Sequence, residues 1–156
     1  MEAFSGARRL LTVLLVALTA VFGMTGCGDE ESDEDKVENT VTGFFDNVAD
    51  GEGQAACARL TDSAVKELSA AAFLLQAPAS CQEAVDLTAK QLGDEEKEAL
   101  KSATVSRVTV TGGRATVADT DIQVDLEGQS SVFRNNDPNP IELQKSGDDW
   151  KISSLG

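Results

Sequence analysis

Three cysteines and a surplus of carboxylates carry whatever chemistry this sequence holds. The 156 residues include no histidine and no tyrosine. That removes a histidine general base, a histidine metal ligand and a histidine pH switch. The thiols are Cys27, Cys57 and Cys81, an odd count that strands one of them in an oxidising compartment. Asp119 and Asp121 stand where a strand's alternation slips, and are the carboxylates placed to face a cavity. The competing reading makes them solvated edge charges that discourage sheet-to-sheet pairing. Asn135, Asn136 and Asp137, with Asp148 or Asp149, supply oxygens of the kind calcium takes. The same residue types cluster in ordinary turns for local backbone reasons. Phe44, Phe45 and Trp150 either line a small apolar pocket or pack the core. No catalytic or metal set is complete, and no cofactor is expected.

The N-terminal segment accounts for the first cysteine. Arg8 and Arg9 precede an uncharged run from Leu10 to Met24, 15 residues long. A permanent membrane helix needs about 20 apolar residues, whereas the apolar region of a signal peptide needs about 7–15. The run ends in Met24-Thr25-Gly26-Cys27, which resembles a bacterial lipobox with Met24 in a position more often held by leucine. The expectation is a signal peptide over residues 1–26 and a lipid-carrying Cys27. A thiolate at the membrane face takes a diacylglyceryl thioether, and cleavage then frees an amine for acylation. Two or more chains anchor stably where one is marginal. A simple secretory signal or an uncleaved membrane helix is the alternative. With Cys27 used, Cys57 and Cys81 remain as an even pair that should form a disulfide outside the cytoplasm. Two unpaired buried thiols are the alternative there.

Taking Arg8, Arg9 and Glu2 away with residues 1–26 leaves 11 basic and 26 acidic side chains, a charge of −15. Such a surface repels nucleic acid and anionic lipid headgroups, so no nucleic-acid partner is expected. Residues 28–35 hold six acidic residues and nothing apolar. They read as a flexible tether, which puts lipidated Cys27 and the tether at 27–35 and the folded domain at 36–156.

The elements that must position these residues follow from periodicity. Val37, Val41, Phe44, Phe45 and Val48 form one helical stripe, ended by Gly51. Short helices follow around 54–60 and from Thr61 towards Gln76. Ser80 and Glu83 open another as a capping box, with Val85, Thr88 and Leu92 as its inner face. A further turn of helix occupies 94–100. The period then becomes alternating: Val108 and Val110, the turn Gly112-Gly113, then Ala115 and Val117. The parity slip near Ala118–Asp121 predicts a bulge before Ile122, Val124 and Leu126. Strands are expected at 131–134, at Ile141 and Leu143, and at Trp150 and Ile152, the last two joined by a turn over 146–149. Helices first and an antiparallel meander second make an α+β fold.

Three stretches carry a resemblance to a known family. They are Val41-Thr42-Gly43-Phe44-Phe45-Asp46-Asn47-Val48-Ala49-Asp50-Gly51-Glu52-Gly53, the Cys57 and Cys81 segments, and the ending Ile141 to Ile152 with Trp150. Together the pattern resembles actinobacterial-type lipoproteins and secreted proteins of the nuclear-transport-factor-2-like superfamily, the cystatin-like cone, over most of residues 37–155. The resemblance implies a curved antiparallel sheet wrapped around N-terminal helices, with a cavity at the cone's open end. It says little about function, since that superfamily hosts enzymes, adaptors and ligand binders. Its ketosteroid isomerases need a tyrosine in the oxyanion hole, and this chain has none. An enzyme using Asp119 or Asp121 is therefore the least favoured reading. The expected function is a non-enzymatic, lipid-anchored extracytoplasmic module of the cell envelope. It would hold a small apolar ligand in the cone or, alternatively, dock on an envelope protein with its core filled.

Overall fold

A computed structural model of the chain describes residues 31–74, 80–126, 129–132 and 139–156. All described residues lie in one unit, Glu31–Gly156. Cys27 and the cluster Asn135, Asn136 and Asp137 lie outside the described residues.

Helix α1 spans Asp33–Asp50. Its start corrects the tether boundary expected at residue 35. Ser32 is the N-cap: its hydroxyl accepts from Asp35 N at 3.1 Å, and the Asp35 carboxylate accepts from Ser32 N at 3.3 Å. Asp33, Glu34 and Asp35 thus occupy the first helical turn, where acidic groups meet the positive end of the helix dipole. Composition put them in the tether, while their place just before the apolar stripe already put Asp33 and Asp35 near a helix N-terminus, since acidity suits a solvated spacer and a helix start equally well. The helix buries Val37, Val41, Phe44, Phe45 and Val48 as one face and stops at Gly51, whose φ of 72° is left-handed.

The remaining helices are α2 (Gly53–Ala58), α3 (Asp62–Leu74), α4 (Cys81–Gln91) and α5 (Asp94–Lys101). Ser80 and Glu83 form the expected capping box on α4. Its inner face differs by one position from expectation. Cys81, Ala84, Val85 and Ala89 are buried, while Thr88 is exposed and returns its hydroxyl to the Ala84 carbonyl. The small side chains let α4 lie close against α2. Lys101 meets Asp50 at 2.6 Å, tying the end of α5 to the end of α1. The hydrogen bond and charge of Asp50 hold the Lys101 ammonium above its usual pKa.

Seven strands follow among the described residues: β1 (Thr104–Val105), β2 (Thr109–Thr111), β3 (Arg114–Val117), β4 (Ile122–Leu126), β5 (Gln129–Val132), β6 (Ile141–Ser146) and β7 (Asp149–Ser154). They form two antiparallel sheets, ordered β1-β4-β5 and β2-β3-β6-β7. This corrects the simple meander, because β3 pairs with β6 and not with β4. A 3₁₀ turn at Asp119–Asp121 stands where a bulge was expected, and it carries the chain from one sheet to the other. Parity slips there because the two strands it joins are not neighbours. Strand β5, Gln129–Val132, overlaps the strand expected at 131–134, of which residues 133–134 lie outside the described ones, and a register shift falls at Glu142/Leu143, between β6 and β7.

The fold class is α+β, five described helices packed on antiparallel sheets. Helix α1 packs on β7, β1 and β2, and α5 packs on β4. Val117, Ile122, Leu143 and Ile152 meet Val37 and Val41 in one buried cluster. The outer edge of β7 is covered by the residues after α2. Ile152 N donates to the Arg59 carbonyl at 2.9 Å and Thr61 N to the Ile152 carbonyl at 2.8 Å, a parallel bridge at Leu60.

Candidate functional site

The residues singled out as pocket candidates are core. Phe44 and Phe45 are each 6% exposed and Trp150 is 3% exposed, and all three belong to the main apolar cluster. The Phe44 and Phe45 rings are 6.0 Å apart and tilted by 58°. Of the two readings open for these three, pocket or core, their burial fits the core, and Trp150 also borders the polar groove described below. Two neighbours on one helix face and an inward strand position present their rings to the same sheet-covered space.

Cys57 and Cys81 are joined as a disulfide between α2 and α4, with Cα atoms 6.2 Å apart. That separation lies within the range a disulfide spans without moving backbone. Asp119 and Asp121 sit half-exposed on the 3₁₀ turn, Asp119 accepting from the next backbone N–H at 2.8 Å. Asp121 contributes its carbonyl, which accepts from Ser106 N and Ser106 Oγ. Neither carboxylate lines any of the three grooves described below. Among the described residues no three Cys, Asp or Glu groups converge as a metal site.

What converges instead is a polar cluster where α1, the end of α2 and the β6–β7 hairpin meet. Asp33 Oδ1 accepts from Trp150 Nε1 at 3.0 Å, and both its oxygens accept from Lys145 Nζ at 2.8 Å. Lys145 and Trp150 are cross-strand partners, and the ammonium lies 5.7 Å from the indole centroid, within cation–π range. The hydrogen bond from Lys145, then that from Trp150, hold the Asp33 carboxyl below its ordinary value of 3.8. A depressed carboxylate stabilises the fold above its unfolded pKa and loses that contribution as pH falls through its lower folded value. Asp33→Asn is accordingly expected to lower the thermal midpoint at pH 6–7. It should also narrow the gap to wild type as pH falls from about 3.8 through the lower folded value, because the wild-type carboxyl is protonated over that interval and the pair's contribution goes with it. A gap independent of pH in parallel melts would remove the ion pair from the account.

Beside this cluster lies a groove of about 320 Å³ lined by Glu31, Lys36, Asn39, Arg59, Asp149, Trp150 and Lys151, together with Thr40 and Ala58. Lys36 Nζ donates to the Asp148 carbonyl at 3.3 Å, and Arg59 Nη1 donates to the Asn39 carbonyl at 3.3 Å. Glu31 accepts from the Asn39 amide. A second groove, of about 400 Å³, is lined by Thr61, Ser63, Gln144, Lys145 and Lys151, so Lys151 stands between the two. A third, of about 170 Å³, is apolar and small, between Ala64, Leu68 and Leu155.

Sequence reasoning missed Asp33, Lys36, Arg59, Lys145 and Lys151. Two signals pointed part of the way. Ser32-x-x-Asp35 has the spacing of a helix-capping pair. The turn at 146–149 places Lys145 directly opposite Trp150. The third partner, Asp33, is 112 residues from Lys145 in sequence, and no local pattern reports it.

No family model matches the sequence, and no curated relative matches it. Among solved structures the chain is similar to a Campylobacter jejuni protein named as an NTF2-like transpeptidase, with 15% identity and a TM-score of 0.42. The likeness covers 71% of this chain and 91% of that one. At that level it carries no assignment. The grooves and the packed interior must speak for themselves.

Proposed function

We propose that this protein is a lipid-anchored, extracytoplasmic binding or accessory module of the cell envelope, non-enzymatic, built on a nuclear-transport-factor-2-like domain. The observation that carries the binding part is the contrast between interior and surface. Phe44, Phe45 and Trp150 fill the apolar core, while the two larger grooves are lined mainly by charged and polar side chains. A domain of this kind engages its partner through its surface. The filled core favours docking on an envelope partner over an apolar ligand held inside a cone.

The anchor rests on the segment Leu10–Met24 and on Met24-Thr25-Gly26-Cys27. No helix among the described residues is long and apolar enough to cross a membrane. The non-enzymatic reading draws on Asp119 and Asp121, which lie on a half-exposed turn away from the three grooves, and on the absence of histidine and tyrosine from the chain.

Cys27→Ala tests the anchor. Wild-type protein is expected in the membrane fraction, labelled by palmitate and shortened by its first 26 residues. The variant is expected unlabelled, either released or retained as the uncut precursor. Palmitate labelling and processing of the variant equal to wild type would refute the assignment.

A further inference from the structure

The groove between α1, the end of α2 and β7 is chemically unlike the rest of this acidic molecule. Lys36, Arg59 and Lys151 all line it, and all three are half-buried; most other described basic side chains are exposed. None of the three forms an ion pair among the described residues, although acidic side chains outnumber basic ones by 26 to 11 after residue 26. Lys36 and Arg59 are held by backbone carbonyls, which orient a cation without neutralising it. A guanidinium has five N–H donors and an ammonium three. The bonds described use one of Arg59, one of Lys36 and none of Lys151. The groove therefore presents three cations with free N–H donors beside two carboxylates, Glu31 and Asp149, with which none of the three is ion-paired.

Arg59 is also seated by design of the backbone. A Cβ built on Gly43 would lie 2.5 Å from both Cζ and Nη2 of Arg59. Gly43 sits inside an 18-residue helix, where glycine is disfavoured relative to alanine. The guanidinium lies in the space that the missing Cβ leaves.

We propose that this groove is a binding site for the oxyanion of a small polar molecule, a carboxylate or a phosphate, with Arg59, Lys36 and Lys151 as its ligands. The planar fork of Arg59 suits two oxygens of either group, and the two ammonium groups close around them as point charges. Glu31 and Asp149 stand on the same groove, and Glu31 is engaged with the Asn39 amide. Their charge disfavours a bare polyanion and favours a molecule with a single oxyanion. The overall negative charge acts mainly beyond a Debye length of about 8 Å, where salt screens it, so contact chemistry decides. This inference goes beyond the anchored-module reading and stands on the groove alone.

The test is a titration of the full chain, extracted in non-ionic detergent, with sodium acetate and with inorganic phosphate. Ionic strength is held constant with sodium chloride, and NMR follows the Arg59 side-chain N–H resonances together with the backbone N–H resonances of Asn39 and Lys151, which line the same groove and remain in every variant. At least one anion is expected to saturate a shift at Arg59, and the tighter of the two identifies carboxylate or phosphate as the natural group. Arg59→Ala and Lys151→Ala are each expected to weaken binding about tenfold or more, the loss of a charge-assisted contact. Lys66→Ala and Arg107→Ala, which remove exposed cations elsewhere, should leave it unchanged. Gly43→Ala separates site from fold: alanine favours the helix, yet its Cβ displaces the guanidinium, so binding should fall while the melting temperature does not. Linear, unsaturable shifts with both anions, or equal losses in the Lys66 and Arg107 variants, would overturn the site.

Discussion

Phe44→Ala is expected to cost about 3–5 kcal/mol of folding stability, as truncation of a fully packed aromatic does. The ring sits at 6% exposure in the cluster with Val41, Phe45 and Trp150. Removing it takes away apolar area already withdrawn from water and leaves a void that the α1–sheet interface can only partly close. Urea denaturation followed by circular dichroism reads the effect as a fall in midpoint. A loss below about 1 kcal/mol would mean that the ring lines open space and has little to lose, since substitutions away from packed features stay near ±0.5 kcal/mol. That result would restore the apolar-ligand reading and weaken the surface-docking one. The measurement therefore bears on function through packing.

The double variant Cys57→Ser, Cys81→Ser is expected to lose about 3 kcal/mol, or roughly 10 °C of melting temperature. The bond closes a loop across a sequence separation of 24, and the chain-entropy model gives about 3.5 kcal/mol for a loop of about 25 residues. Changing both cysteines avoids a stranded thiol that would complicate the result. The consequence reaches the groove, because Arg59 is the C-cap of α2 and Cys57 lies two residues before it. Loosening α2 from α4 should loosen the seat of Arg59 on Gly43 as well. Wild-type protein melted in reductant should reproduce the loss. Equal melting with and without the bond would show that α2 is held by packing and by the Leu60–Ile152 bridge alone.

The paired substitution and the aromatic truncation probe different layers. The disulfide restrains α2 against α4, whereas Phe44 is part of the contact between α1 and the sheets. Their effects should depart from simple addition, because α1 also packs on α2 and α4 and Cys81 shares the apolar cluster with Phe44, so the two sites have partners in common.

Much of the fold was legible before any coordinates. The stripe from Val37 to Val48, the capping box at Ser80 and Glu83, and the glycine turns at 112–113 and 147 are local features. Their causes lie within a few residues of one another, so sequence reports them directly. The same holds for α+β as a class, since the change from helical to alternating period near Lys101 is itself a local signal. The Cys57–Cys81 pairing was legible for another reason, parity, once Cys27 was set aside.

The failures share one cause. Asp33 looked like tether because its partners Lys145 and Trp150 are more than 110 residues away. Ala118–Asp121 looked like a bulge because period alone cannot say which strand a strand will pair with. The net charge of −14 concealed a groove where Lys36, Arg59 and Lys151 gather, because net charge sums over a surface and is blind to where the charges meet. Phe44, Phe45 and Trp150 were equally compatible with pocket and core, since the same spacing points a ring inward in both. The sequence by itself determined the helices, the turns, the cysteine pair and the likeness of its first 27 residues to a lipoprotein leader. Only the tertiary structure decided the strand order, the closed interior and the cationic groove, because each depends on residues brought together from distant parts of the chain by burial of apolar faces that carry no address of their own.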